Sequence, residues 1–356
     1  MKPCLNQAGF FIFTKITIMN KPITRIIAIA LIIIAVILYC IFGPRVNAPE
    51  SKYFVINNGA TYTDVVNNLE KQKIISPGFI FNSLANQADY KNNIKPGRYE
   101  IKENSSIYAL VKMLKSGKQA AVKLVINKLR TREDLASKIG DNFECDSAAV
   151  FKFLNNNDSL QSFGLDTNTV MSAIIPNTYE LNWNNSIKTI FTKLNTEKEK
   201  FWNDTRKAKA AAKKLTPLQV YTLASIVEEE TNASSDKPLI ASVYKNRFFA
   251  GQKMQADPTV KFAMKNFGLK RIYLKYLEFP SPYNTYKNVG FPPGPICTPS
   301  IKTIDAVLDA AETNYMFFVA KPDLKGYSNF AATYQEHLIF AKQYQTALDE
   351  SLKNKK

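Results

Sequence analysis

The stretch LASIVEEET, residues 223–231, places three consecutive glutamates at the end of an apolar helical pattern. Upstream, Thr216 and Gln219 have the spacing of a capping box, and Pro217 stands at the first helical position. The apolar residues that follow recur at intervals of three and four: Val220, Leu223, Ile226 and Val227. The sequence therefore predicts a helix that begins after Thr216 and packs one apolar stripe against a core.

Helical geometry distinguishes the three glutamates from one another. Glu230 follows Ile226 by four residues and lies where a leucine is expected, whereas Glu228 falls near the edge of the stripe. Glu229 is expected on the opposite, solvated face. Burial raises the pKa of a carboxyl group, and a protonated carboxylic acid can act as a general acid. The alternative is that the helix ends early and leaves Glu230 as a solvated C-terminal residue.

Composition restricts the class of protein. The 356 residues suffice for two or three compact units, and a hydrophobic content of 46% is typical of a globular protein. The net charge of +17 favours a partner with acidic groups, such as nucleic acid, anionic lipid or a carboxylate-bearing polymer. No short run rich in lysine and arginine stands out, which argues against nucleic acid. Alternatively, the lysines only increase solubility.

Residues 23–42 form an apolar run, ITRIIAIALIIIAVILYCIF, that is long enough to span a membrane and ends at Gly43 and Pro44. Three basic residues precede the run, one lies at its start and one follows it closely: Lys2, Lys15, Lys21, then Arg25, then Arg45. This asymmetry predicts a transmembrane helix over residues 23–43, with residues 1–22 in the cytoplasm and the rest of the chain outside it. Met19 is a plausible true start. A cleaved signal peptide is the alternative, but no cleavage site follows the run.

Cysteine and histidine usage argues against a metal site. The four cysteines stand at positions 4, 40, 145 and 297, without paired spacing, and His337 is the single histidine. Cys145 and Cys297 alone would lie outside the membrane, which allows one disulfide at most. We expect a structural role for His337 and predict no cofactor.

Residues 50–119 have the pattern of a small unit with the order strand, helix, helix, strand and a trailing helix. The strands are predicted at residues 53–56 and within PGRYEIK, residues 96–102. The helices are predicted after Thr63, near residues 79–85, and from Ser106 to Gly117. This order resembles that of LysM modules, which bind glycan chains.

Residues 120–350 are predicted to form a mixed α+β domain. VKLVIN, residues 122–127, is a strand candidate, and Thr131 caps a helix that extends through Ile139. Residues 188–214 are typical of one long lysine-rich amphipathic helix, and the tail after Tyr344 is expected to be frayed.

Two later loops carry polar and aromatic residues among prolines and glycines. They are QADPTVKF, residues 255–262, and PSPYNTYKNVGFPPGPICTPS, residues 280–300. Stacking faces and hydrogen-bonding groups suited to sugar rings occur side by side in the second loop: Tyr283, Asn284, Thr285 and Tyr286. Binding groups concentrate on such loops, although ordinary proline-rich turns have a similar composition.

The succession LASIVEEET, IASVYKNRF, MQADPTV, PYNTY, GFPPGPICTPS and YMFFVA resembles the YceG-like (MltG) family of endolytic murein transglycosylases. The resemblance implies that Glu230, which precedes Thr231, is the catalytic glutamate. It also supports an assignment of substrate-binding residues: Glu228, Gln255, Asp257, Tyr283, Asn284, Thr285 and Tyr286. The sequence departs from the family pattern at Ala256, Asn177, Cys297 and Ser300, which puts substrate details in doubt.

The resemblance implies cleavage of the β-1,4 bond from N-acetylmuramic acid to N-acetylglucosamine within glycan strands, with 1,6-anhydro ends as products. It also implies a single-pass protein of the cytoplasmic membrane, with glycan strands as substrate and peptidoglycan synthases as candidate partners. Two alternatives stay open. Glu228 could act as the second carboxylate of a hydrolytic muramidase, or the chain could be a non-catalytic scaffold that binds the wall. A nucleic-acid binder ranks third.

Overall fold

The computed structural model of the chain describes residues 21–269 and 271–353. Residues 1–20, with the predicted cytoplasmic segment and the candidate start at Met19, lie outside the described residues. The chain divides into two compact units, Met1–Gln119 and Ala120–Lys356.

The first helix, α1 (Lys21–Phe42), contains the apolar run. Pro22–Phe42 is long enough and apolar enough to cross a membrane, and its side chains are not buried by the rest of the protein. Ile26 and Ile32 are 65% and 62% exposed. Such exposure on every side is compatible with a lipid-facing helix and hence with a single-pass anchor.

The rest of the first unit has the predicted element order. Its elements are β1 (Tyr53–Ile56), α2 (Tyr62–Lys71), α3 (Gly78–Gln87), β2 (Gly97–Glu100) and α4 (Ile107–Ser116). The strands β1 and β2 pair antiparallel, with Tyr53 opposite Glu100. The prediction of Thr63 as the cap of α2 was wrong by two residues. Thr61 caps the helix, because the side chain of Asp64 at the third helical position completes a capping box with it.

The second unit combines many helices with small sheets. It begins with β3 (Val122–Ile126), α5 (Arg132–Gly140), α6 (Ser147–Leu154), α7 (Asn157–Gln161), a 3-10 turn (Val170–Ala173), β4 (Asn177–Leu181), α8 (Ile187–Phe201) and α9 (Asp204–Ala212). It continues with α10 (Pro217–Glu230), α11 (Lys237–Phe249), α12 (Asp257–Ala263), α13 (Leu274–Leu277), α14 (Ile301–Leu308), β5 (Phe317–Ala320), β6 (Ser328–Ala331) and α15 (Tyr334–Lys353). The strands form two antiparallel pairs, β3 with β4 and β5 with β6.

Helix α10 is the centre of the larger core of this unit. The predicted capping box of Thr216 and Gln219 is present, with Pro217 in the first turn. Every residue from Val220 to Val227 is buried, so α10 has no solvated face over this length. Ser225 is fully buried, and its hydroxyl accepts a 3.0 Å hydrogen bond from the backbone N–H of Ile296.

Two other local predictions were wrong. The single helix over residues 188–214 is interrupted, because the buried Trp202 leaves helical geometry and the side chain of Asn203 caps α9 as a new helix. The tail after Tyr344 is not frayed within the described residues, since α15 continues to Lys353. The lysines on both sides of Trp202 continue one helical pattern, and this pattern conceals the boundary between α8 and α9.

Candidate active site

The last turn of α10 places its three glutamates in three different environments. The carboxylate of Glu228 accepts hydrogen bonds from Lys237 at 2.8 Å and from Ser300 at 3.2 Å. The hydroxyl of Thr303 also donates to it. Burial alone would raise the pKa of Glu228, but the bonds from Lys237 and Thr303 outweigh it and hold the pKa below its usual value. Glu228 therefore anchors α10 to α11 and α14.

Glu229 is also an anchor, although the sequence predicted that it faces solvent. Both of its oxygens accept 3.0 Å bonds from the guanidinium of Arg130, and Lys128 forms a second ion pair with it. Its side chain is only 15% exposed. The ion pairs lower the pKa of Glu229 against the opposing effect of burial. The solvated face was a wrong prediction, because the segment after β3 covers it.

Glu230 differs from its neighbours because one of its oxygens is not satisfied. Oε2 is buried and has no hydrogen-bond partner among the described residues. Burial, together with the negative charge of Asp257, raises the pKa of Glu230 to about 7. A hydrogen bond from Tyr244 and the charge of Lys261 act in the opposite direction. Since α10 extends to Glu230, the alternative of an early helix end with a solvated glutamate is excluded.

The loop before α12 brings Asp257 to this carboxyl. Gln255 has a left-handed backbone conformation, with φ of 57°, which costs about 1 kcal/mol for a non-glycine residue. Two hydrogen bonds to Thr285 hold the loop: the N–H of Gln255 donates to the Thr285 carbonyl at 3.1 Å, and the N–H of Ala256 donates to the Thr285 hydroxyl at 3.0 Å. The side chain of Gln255 is exposed.

The YNTY segment supplies the other wall of the site. The hydroxyl of Tyr286 donates a 2.6 Å hydrogen bond to Asp257. The amide of Asn284 donates to the carbonyls of Leu277 and Phe279 at 2.8 and 2.9 Å. Asn284 and Thr285 are 0% and 1% exposed, which does not support the predicted contact of their side chains with sugar. They instead position the two tyrosines, Tyr283 and Tyr286, that remain partly accessible.

Comparison with known proteins identifies the family of the chain. The model of the YceG-like family matches residues 54–343, which is most of the chain. The chain belongs to the YceG-like family.

Curated relatives carry one common name. A Bacillus subtilis protein named endolytic murein transglycosylase is 27% identical over 317 residues, which cover 83% of this chain and 85% of that protein. A Streptococcus pneumoniae protein of the same name is 25% identical, and the match covers 77% of this chain and 55% of the relative. The chain thus spans about half the length of the pneumococcal relative. The crystal structure of a YceG-like protein from Listeria monocytogenes has a TM-score of 0.53 at 28% identity, covering 80% of this chain and 97% of that one.

Some residues of this YceG-like site were not assigned from the sequence. Tyr244 and Arg247 belong to the quoted motif IASVYKNRF, but nothing in their spacing gave them a role. Arg247 donates to the carbonyls of Met316 and Met254, both at 2.7 Å, and thereby fixes the chain just before Gln255.

The described residues also bear on the cysteines and the histidine. Cys145 and Cys297 are both free, so the one disulfide that the sequence allowed is not formed. Among the described residues, no group of three or more histidine, cysteine, aspartate or glutamate side chains could hold a metal ion. The ring of His337 stacks on Phe317, with ring centroids 5.3 Å apart.

Proposed function

We propose that this chain is a membrane-anchored endolytic murein transglycosylase. It cleaves the β-1,4 bond from N-acetylmuramic acid to N-acetylglucosamine within glycan strands and leaves 1,6-anhydro ends. Membership of the YceG-like family and the common name of the relatives support this proposal. The single observation that carries it is the buried, unpartnered oxygen of Glu230 on a carboxyl whose pKa is raised to about 7.

One carboxyl group suffices for this reaction because its two protonation states are used in sequence. Protonated Glu230 donates its proton to the glycosidic oxygen as the bond from that oxygen to C1 breaks. The resulting carboxylate takes the proton of the C6 hydroxyl of the same muramic sugar, and the C6 oxygen bonds to C1. No water is consumed, and Glu230 ends protonated. A pKa of about 7 keeps both states accessible near neutral pH.

Asp257 and Tyr286 are assigned an electrostatic role in the same step. Positive charge develops at the anomeric carbon as the glycosidic bond breaks, and a nearby fixed anion stabilises it. The hydroxyl of Tyr286, through its 2.6 Å bond, fixes the orientation of Asp257. The exposed side chain of Gln255 and the partly accessible rings of Tyr283 and Tyr286 are assigned to substrate binding.

Hydrolysis is the second candidate reaction, and it requires another carboxylate to activate water or to act as the nucleophile. Glu228 is a poor candidate, because Lys237, Ser300 and Thr303 already donate to its carboxylate. Mass spectrometry of the products distinguishes the reactions, since lyase chemistry leaves anhydro ends and hydrolysis leaves reducing ends.

The proposal extends to the rest of the chain. Residues 50–119, with their antiparallel β1–β2 pair and intervening helices, serve as a LysM-like module that binds glycan. Helix α1 holds the protein in the cytoplasmic membrane, with the N-terminus in the cytoplasm and the catalytic unit on the other side. Peptidoglycan synthases in the same membrane are the proposed partners.

The decisive experiment replaces Glu230 by glutamine in the full chain and analyses digested glycan strands by mass spectrometry. Loss of a general acid typically lowers the rate by about 100- to 10,000-fold, so anhydro ends should nearly disappear while binding to strands persists. Glu199→Gln is the matched control, because Glu199 is exposed and pairs with Lys198 rather than with a residue of the proposed site. Undiminished cleavage by Glu230→Gln would refute the assignment. Strand binding without any cleavage by the parent protein would favour the scaffold alternative.

A further inference from the structure

A cavity of about 200 Å³ lies in the second unit, beside the elements that carry the proposed active site. The start of α5, helix α12 and the YNTY segment all contribute to its lining. The residues that matter here are Arg130, Arg132, Glu133, Phe262, Lys265 and Tyr283. Three of these six are cations, so their partners decide what the cavity can bind.

Two of the three cations are already neutralised by neighbouring carboxylates. Arg130 binds Glu229 through two 3.0 Å bonds, and Lys265 donates to Glu133 at 2.7 Å. Arg132 is half-buried, yet its guanidinium makes no hydrogen bond or ion pair with any residue that the structure describes. A guanidinium has five donors in a planar fork that matches a carboxylate, and leaving it half-buried without an acceptor is unfavourable. The cavity therefore contains one unpaired guanidinium, that of Arg132.

Part of the lining of the cavity is aromatic. The rings of Tyr283 and Phe262 lie 4.8 Å apart with an interplanar angle of 48°. The hydroxyl of Tyr283 has only a long, 3.5 Å contact with Asn168. An apolar surface with a weakly engaged hydroxyl, in the same cavity as the unpaired Arg132, suits an anionic group carried on a short organic chain.

The cavity and the catalytic group are connected through shared elements. Phe262 belongs to α12, the helix that begins with Asp257, and Asp257 acts electrostatically on Glu230. Arg130 binds Glu229, which immediately precedes Glu230. The same elements thus serve the cavity and Glu230, which favours an occupant carried by a sugar next to the cleaved bond.

We propose that this cavity is a subsite for the peptide carried by the muramic sugar, and that Arg132 binds a carboxylate of that peptide while Tyr283 and Phe262 pack against its carbon chain. The inference rests on the proposed function, because it names the part of the same substrate that Arg132 recognises. It makes Arg132 a specificity-determining residue without a part in bond cleavage.

The test compares two substrates. One is a preparation of native strands with free peptide carboxylates, and the other is the same preparation after these carboxylates are converted to neutral amides. We expect Arg132→Gln to lower kcat/KM on native strands by about tenfold, the usual size of the loss of a hydrogen-bonded charge pair. On amidated strands the variant and the parent should be equal, and the parent should lose the same factor between the two substrates. Arg132→Lys should recover part of the loss, and the exposed Lys188→Gln should behave as the parent on both.

The outcomes separate this inference from the proposed function. Equal cleavage of native and amidated strands by the parent, with no effect of Arg132→Gln on either, would overturn the inference and leave the transglycosylase intact. A similar loss on both substrates would also overturn it, because that pattern indicates a structural role for Arg132. If the parent cleaved neither substrate, the proposed function itself would fail.

Discussion

The hydroxyl of Tyr286 donates a 2.6 Å hydrogen bond to Oδ1 of Asp257, and the charge of Asp257 raises the pKa of Glu230. Three residues, from one loop and the ends of two helices, thus act as a unit. Tyr286 fixes an anion, and the anion favours the protonated form of the catalytic acid. The pH dependence of the reaction should therefore change when Asp257 is replaced, although Asp257 itself does not transfer the proton.

Asp257→Asn should shift the alkaline limb of the pH profile to lower pH. Without the negative charge, ionisation of Glu230 becomes easier, so the pKa of Glu230 falls from about 7. Because Glu230 must be protonated at the start of the reaction, activity is lost as pH rises through this pKa. We expect a displacement of roughly one pH unit in the profile of kcat/KM. Asp309→Asn, at an exposed ion pair with Lys209, is the control, and an unmoved limb in Asp257→Asn would contradict the coupling.

The sequence was sufficient to predict features that depend on neighbouring residues. Thr216 and Gln219 cap α10 as their spacing predicts, and counting from Ile226 placed Glu230 towards the core, where its Oε2 is buried. Both inferences depend on contacts within four residues, which the sequence contains directly.

The sequence alone did not predict features that depend on contacts between residues far apart in the chain. The partners of Glu229 come from residues 128–130, about a hundred positions earlier, and these contacts remove the expected solvated face. The break at Trp202 is set by burial of its ring, while the surrounding lysines continue the helical pattern. Neither the role of Tyr244 nor that of Arg247 follows from periodicity, because their partners meet only in the folded chain.

Glu230 should make the stability of the second unit depend on pH. Its pKa is about 7 in the folded chain, against an ordinary value of 4.5 for a glutamate side chain. Between these values the folded state binds more protons than the unfolded state, so the free energy of unfolding falls as pH rises from 4.5 to 7 and is level above that. The loss amounts to about 3 kcal/mol.

Glu230→Gln removes this titration and should be more stable than the parent at pH 8 but not at pH 4. Both tryptophans of the chain, Trp183 and Trp202, lie in the second unit. Urea unfolding followed by tryptophan fluorescence therefore reports on this unit. If the free energies of unfolding of variant and parent differed by the same amount at every pH in this range, Glu230 would not be desolvated in the folded protein.

Glu228→Gln should mainly affect stability. The substitution leaves Lys237, whose side chain is 13% exposed, without its carboxylate partner, and we expect a loss of roughly 1–3 kcal/mol in the free energy of unfolding. The products should retain anhydro ends, since Glu228 takes no part in the transglycosylase step. Lys237→Met in the same chain should recover part of the stability. Abolished cleavage with unchanged unfolding would instead assign Glu228 to the chemistry and favour the muramidase.

Thr285→Val tests whether the buried YNTY segment positions Asp257. The hydroxyl of Thr285 accepts from the N–H of Ala256 at 3.0 Å and lies 2.9 Å from the hydroxyl of Thr259. Valine has the same shape but leaves the buried N–H without an acceptor, which costs about 1–3 kcal/mol, and the loop that ends at Asp257 should shift. We expect a fall in kcat of about tenfold or more, because small displacements of catalytic groups are costly. Thr285→Ser retains the hydroxyl and should keep most of the activity, as measured by the release of anhydro ends at saturating substrate. Equal activity of the valine and serine variants would show that the hydrogen bond to Ala256 does not hold Asp257 in place.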